Sequence, residues 1–323
     1  MKRALSVFSL LLLAGLSACG GGGGGSSSSP YTGLSTPAVV TAANADNIAR
    51  QAFQGGDLGA STTLAPARSG DTRRVAERPI ALTLVRLLSG AAAAALPASS
   101  STRAPEPRAV ITVSDVIDDG WGQGGQARYT LSVDNVTGVF TGTFVFTNFH
   151  GDGGGVINGP VAVSGIVGQV SMQILFDFQS VHVVDPVSGE DVTAFGTVNM
   201  AIDLGTGNVA GGVTLDMIFV DNATHKTLWL SNVTLTANIG TGFSDVTLSG
   251  RIYLHDYGYL DMTTLVPFRY LTGNSYPSAG QFVVTGKDNT GVRLTVNSGT
   301  QYTLDVDSDG DSAYDDLTVV LSW

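Results

Sequence analysis

The sequence predicts a mainly β fold: an antiparallel meander forming a β-sandwich or soluble barrel, preceded by one or two short helices and flexible linkers. Three observations carry that expectation. From residue 109 to 323, apolar residues recur at every second position, the period of a half-buried strand. Turn signals such as Asp134-Asn135, Asp185-Pro186, Gly205-Thr206-Gly207-Asn208 and Gly240-Thr241-Gly242 cut these runs into strand-sized pieces. Helical periodicity is nearly absent from the same region.

The chain opens with Met1-Lys2-Arg3, an apolar run over 4–16 and Leu16-Ser17-Ala18-Cys19, followed by Gly20 to Gly25 and four serines. A basic start, a short apolar stretch and small residues describe a secretory signal, too short for a membrane span. The segment resembles the lipobox of bacterial lipoproteins. That resemblance implies removal of residues 1–18, lipid on Cys19, the only cysteine, and, with Gly20 next instead of aspartate, an outer-membrane destination. Several acyl chains hold a protein at a membrane stably, whereas one binds marginally. An ordinary secretory cleavage with release is the alternative. Residues 19–30 then form a Gly/Ser tether with a reach of roughly 15–20 Å. It leaves both orientations open, toward the periplasm or the cell surface.

Residues 31–108 read as a low-complexity region with short helices. Thr41 is a candidate N-cap for an alanine-rich helix running up to Gly55-Gly56. A second candidate spans 79–95, with Pro79 in its first turn and Leu84, Val85, Leu87 and Leu88 on one face. The stretches 65–78 and 97–108 are rich in Gly, Ser, Pro and Arg and lack periodicity, as linkers do.

The β-domain occupies 109–323. Tyr129, Leu131 and Val133 lead into Asp134-Asn135-Val136-Thr137-Gly138, after which Phe140, Phe144 and Phe146 alternate with polar residues, which predicts a hairpin. Further strands are predicted near 168–178, 181–185, 192–204, 211–220, 227–239, 244–254, 259–270, 281–287, 291–297, 301–306 and 317–323. Short Val-x-Met and Val-x-Leu themes recur at irregular spacing, which favours a meander over a solenoid or propeller. Aromatic girdles are missing, which argues against a lipid-facing barrel.

Charge narrows the function classes. Residues 20–108 carry eight arginines against five acids, net +3, whereas 109–323 carry six basic residues against twenty-two acids, net −16. Such a domain repels nucleic acid and anionic membrane surfaces and favours cations or neutral partners. With one cysteine, no intramolecular disulfide is available in an oxidising compartment.

The sharpest motif lies near the end, where Asp305, Asp307, Asp309 and Gly310 spell D-x-D-x-D-G, followed by Asp311 and, at the twelfth place, Asp316. Hard divalent cations take six to eight oxygen ligands, and this spacing gathers carboxylates on a turn. The loop resembles EF-hand and dockerin-type calcium loops. It departs from them in an Asp at the twelfth place and in strand-like flanks at 302–306 and 317–323. The resemblance implies Ca2+ held by Asp305, Asp307, Asp309 and Asp316 through their carboxylates and by Asp311 through its backbone carbonyl; a polar hairpin turn that holds no ion is the other account of the same residues.

A second patch joins Tyr253, His255, Tyr257 and Tyr259 to Arg269. Aromatics at alternate strand positions can stack on sugar rings, with His255 and Arg269 adding hydrogen bonds, while ordinary packing is the simpler account. His150, His182, His225 and His255 are scattered with no partner at ligand spacing. Glutamates are almost missing, so paired carboxylates for glycoside hydrolysis cannot be selected and no enzyme is expected. From Tyr253 onward the chain is similar to the C-terminal module of bacterial lipoproteins with glycine-rich tethers, a likeness that brings no activity. The expectation is a membrane-anchored extracytoplasmic binding or adhesion domain for a glycan or an envelope protein. A structural envelope role and an extracytoplasmic hydrolase are the alternatives.

Overall fold

The computed structural model describes residues 30–63, 109–119, 124–150, 155–168, 170–184, 189, 191–203, 212–272, 274 and 276–323. The signal, Cys19, the Gly/Ser tether and the predicted second helix lie outside them. Fourteen strands follow one helix, α1 (Ala45–Thr63). They are β1 (Val110–Asp118), β2 (Gln126–Asp134), β3 (Val139–His150), β4 (Val156–Val167), β5 (Ser171–Val184), β6 (Asp191–Asp203) and β7 (Gly212–Asp221). The second half comprises β8 (Thr227–Gly240), β9 (Phe243–Leu254), β10 (Gly258–Leu271), β11 (Ala279–Thr285), β12 (Gly291–Ser298), β13 (Gln301–Asp307) and β14 (Leu317–Ser322). Each strand pairs antiparallel with its neighbour in sequence, so the sheet is one meander from β1 to β14.

The predicted meander is present, and the sheet is not closed into a barrel, with β1 and β14 as its two edges. Hydrogen bonding runs through all fourteen strands as one sheet. The two edge strands have nine and six residues. The predicted hairpin is β2–β3. Two strands, β1 and β4, go beyond the sequence expectation, and the segments expected at 168–178 and 181–185 are one strand, β5.

A line of bulges, features that kink strands, lies behind the merging of the two segments into β5. Buried residues in β5 run Met172, Ile174, Phe176, Phe178 and then Val181, a change of phase where the register against β6 slips. The same slip recurs in β3 between Phe146 and Phe149, in β4 between Asn158 and Val161 and in β8 between Ser231 and Thr234. One extra residue in a strand reverses which side chains face inward, kinks the strand and increases its twist. Several of these positions need positive φ: Asn148 at 48°, Gly159 at 119°, Asn232 at 50° and Gly250 at 141°. Pro160 beside Gly159 hides β4 from a period-two reading, yet at a bulge its missing N–H costs little.

The inward face forms one core, with Phe144, Phe176, Val198, Leu215, Leu235, Phe268, Phe282 and Tyr302 buried. Helix α1 crosses β8, β9, β12 and β13. Its stripe Ala45, Ile48, Ala49, Ala52 and Phe53 is buried, and Phe53 meets Phe268, Phe282 and Trp323 at ring distances of 5.3, 6.4 and 4.8 Å. Two details depart from expectation. Thr41 opens the turn that leads into the helix, accepting from the N–H of Asn44 and Ala45, and does not cap it. The helix also continues through Gly55-Gly56 to Thr63, because Gly55 is where the helix touches the sheet: a Cβ there would strike Ile252 and Leu228.

Residues 31–40 tie the two faces together. Leu34 N–H donates to the His255 carbonyl, Tyr259 accepts from the Ala38 N–H and donates to the Thr36 carbonyl on either side of Pro37, and Ala38 and Val40 enter the core ahead of α1. The chain thus passes from the outer face, over the β9–β10 turn, to the inner one.

Candidate metal centre and outer-face groove

The aspartate-rich turn joins β13 to β14, and its geometry begins with Asp307. This side chain is 1% exposed; its two oxygens accept from Gly310 N–H and Ser312 N–H, each at 2.7 Å. Positive φ at Gly310, Ser312 and Tyr314 curls the loop back on itself. Asp316 closes the loop from the far side by accepting from the Ser308 N–H at 2.6 Å and hydroxyl at 2.7 Å and from the Asp309 N–H at 3.3 Å. Those bonds hold its carboxyl below the usual carboxylate range.

As a result one oxygen each of Asp307, Asp309 and Asp316 lies within 4.8 Å of the others. Ca–O bonds of about 2.3–2.6 Å separate neighbouring ligand oxygens by less than about 5 Å, so this acidic triad can hold a metal ion. Of the other two predicted ligands, Asp305 lies elsewhere, and Asp311 is expected to bind through its backbone carbonyl, which its carboxylate's bonds leave untouched. Asp305 remains on the ladder of β13, bonded to Arg293 at 3.0 Å and to the Thr318 hydroxyl at 2.9 Å. Asp311 accepts from Ala313 N–H at 2.8 Å. Period two leaves Asp305 and Asp307 on one face of β13, so the bonds to Arg293 and Thr318 are what keep the Asp305 carboxylate on the ladder.

The aromatic patch divides into separate places. Arg269 sits at the far end of β10 in a two-pronged pair with Asp245, at 2.8 and 2.7 Å, over the ring of Phe243. Tyr257 accepts from Asn47 of α1 at 2.8 Å, and His255 Nδ1 lies 3.2 Å from the Thr227 hydroxyl. Tyr253 and Tyr259 belong to an outward row with Trp229. Trp229 and Tyr253 stack at 4.4 Å, Tyr253 and Tyr259 lie 5.4 Å apart, and Arg251 covers the Tyr259 ring at 4.1 Å. The row ends in acids, with Asp216 accepting from the Trp229 indole at 2.6 Å and Asp261 holding Arg251 at 2.8 and 3.0 Å. Tyr31 of the strap leans on Trp229 and Tyr253, and burial together with Tyr253 and Asp256 pushes its hydroxyl up to about 12.

Beside this row the β9–β10 ladder opens. Leu260 pairs with Ile252 and the next pair is Phe268 with Val246, so seven residues of β10 face five of β9. The Thr264 hydroxyl stitches the gap by accepting from Leu248 N–H and donating to Leu248 C=O. The result is a shallow groove of about 440 Å³, lined by Ser231, Asn232, Ser249, Arg251, Tyr253, Asp261 and Thr263 among others. Its lining is rich in hydroxyl, amide and charged groups, and the ring faces of the row are engaged with one another. The groove therefore offers hydrogen bonds and ring edges more than an open stacking surface.

Sequence reasoning missed several partners. His150 Nδ1 meets Asp119 at 2.6 Å, and His182 Nε2 meets Asp191 at 2.6 Å, with Asn222 on the same carboxylate oxygen. These contacts join residues nine to thirty-one positions apart through strand register and leave no ligand-spacing signal. Compared with known proteins, the chain matches no family model, no curated protein and no solved structure. No helix among the described residues is long and apolar enough to cross a membrane.

Proposed function

We propose that the chain is a lipid-anchored, extracytoplasmic binding module. Cys19 carries the anchor, the Gly/Ser segment the tether and the β-sheet the binding surface, facing the periplasm or the cell surface from the outer membrane. Calcium in the Asp307, Asp309 and Asp316 triad stabilises the C-terminal hairpin. The binding site is the groove where β9 and β10 part, and its ligand is a neutral, hydroxyl-rich molecule, a glycan. The observation that supports this reading is the groove itself: an interruption in an otherwise continuous ladder, lined by Ser, Thr and Asn beside a fixed Arg251–Asp261 pair and the edge of Tyr253. An acidic domain of net −16 suits a neutral ligand better than an anionic one.

The test is a screen of neutral oligosaccharides against the full chain in millimolar calcium. Saturable binding to a subset of neutral sugars is expected. Binding to none of them would leave the groove without its proposed ligand class and return the molecule to a structural envelope role.

A further inference from the structure

Strand β14 leaves the sheet with an unguarded edge among the described residues. Among the described residues β14 pairs with β13 alone, and Leu317–Ser322 contains no charge, no proline and no glycine. Edge strands are commonly blunted by such residues, because their free N–H and C=O groups template further pairing. The opposite edge is blunted: β1 carries Asp115 and Asp118. On β14 the inward row of Leu317, Val319 and Leu321 packs on the core yet is only half-buried, whereas Tyr302, Leu304 and Val306 one strand away are fully buried. The outward row is Thr318, Val320 and Ser322, with Val320 57% exposed.

We propose that β14 pairs antiparallel with β14 of a second copy of this chain, about a two-fold axis at Val319. Residues opposite one another in an antiparallel pair share a face. Setting Val319 against Val319 places Leu317 opposite Leu321 on the inner side and Thr318 opposite Val320 on the outer side. A slip of one residue sets each inward side chain against an outward one. Charge fixes the direction. The acidic loop directly precedes β14, so parallel strands set two such loops side by side, while antiparallel strands part them by the strand's length of about 20 Å, beyond the screening length of about 8 Å. Charge also selects the partner edge, since β1 of a second copy brings two aspartates to a strand that begins beside the acidic loop. Six residues bury less than a stable soluble dimer needs, so the pairing is weak in solution and strengthened where copies share a surface. Only that strengthening rests on the lipid anchor proposed above.

Sedimentation equilibrium of the full chain in density-matched detergent, from micromolar to sub-millimolar concentration, tests the pairing. A reversible monomer–dimer equilibrium is expected. Val320→Lys should weaken it roughly tenfold or more, because the two lysines would sit diagonally across the pair. A mixture of Val320→Lys and Val320→Glu copies should restore it as a mixed dimer, while Val116→Lys on β1 should leave it unchanged. A monomer at every concentration overturns the proposal. So does a dimer that Val320→Lys leaves intact, as copies merely sharing a micelle would be, or one that Val116→Lys dissolves.

Discussion

Asp307 has two separable roles, and they predict different behaviour from its neighbours. Buried, it satisfies two loop N–H groups that nothing else in the turn accepts from. Asp307→Ala should therefore cost about 1–3 kcal/mol with or without metal. Asp309 is exposed, so Asp309→Ala should be near neutral in EDTA, where surface substitutions stay within about 0.5 kcal/mol. Calcium at a hundred times its dissociation constant should stabilise the native chain by about 2.7 kcal/mol, several degrees in Tm, and Asp309→Ala should abolish that gain. Thermal unfolding in EDTA and in calcium distinguishes the two roles; equal melts of the native chain would mean a turn that holds no cation. The D-x-D-x-D-G pattern made Asp307, Asp309 and Asp316 legible in sequence. It misassigned Asp305, because whether that residue belongs to loop or ladder is settled by Arg293 and Thr318 on strands twelve and thirteen residues away.

At the level of elements, period-two alternation made most strands legible and the bulges did not announce themselves. A bulge is a tertiary event: it appears where one strand must gain a residue over its neighbour, and only the buried phase on both sides reveals it. That is why β5 reads as two strands, while β4 goes unpredicted because Gly159-Pro160 and Gly165 interrupt its alternation. Helix α1 shows the reverse error, since Gly55 reads as a stop and serves as a contact. The bulge glycines supply a direct check. Gly250 has φ of 141°, and a Cβ there would strike the backbone of Val233 and Asn232. Gly250→Ala should destabilise by about 1–3 kcal/mol, the usual cost of a strained backbone residue, as read by chemical denaturation. Gly168→Ala, at ordinary φ and facing only the Ser171 carbonyl, should cost less. Equal losses at the two sites would remove the bulge line as an account of the strand kinks.

For the molecule as a whole, the strap decides on which face of the sheet the chain ahead of it is held. Tyr31 lies on the outer face against Trp229 and Tyr253, so the described part of the strap begins beside the groove. On the proposed lipid anchor, a spacer reaching roughly 15–20 Å would keep that face near the surface holding Cys19. Cys19→Ser should move the chain from the membrane fraction to the soluble extract, and a variant that still sediments with membranes would contradict the anchor. The fold class was legible because alternation is local. The groove was not, because it arises where two strands separate, and its Arg251–Asp261 pair and Trp229 partner are fixed by register. The central claim is that this groove binds a glycan, and the most direct measurement is the affinity of the best-binding neutral oligosaccharide for the native chain and for Ser249→Trp. Ser249 is exposed on the groove wall, so the substitution fills the groove without touching the core. The account predicts an unchanged melt and a dissociation constant raised roughly tenfold or more, the equivalent of about 1.4 kcal/mol; an unchanged affinity would place the ligand elsewhere and contradict it.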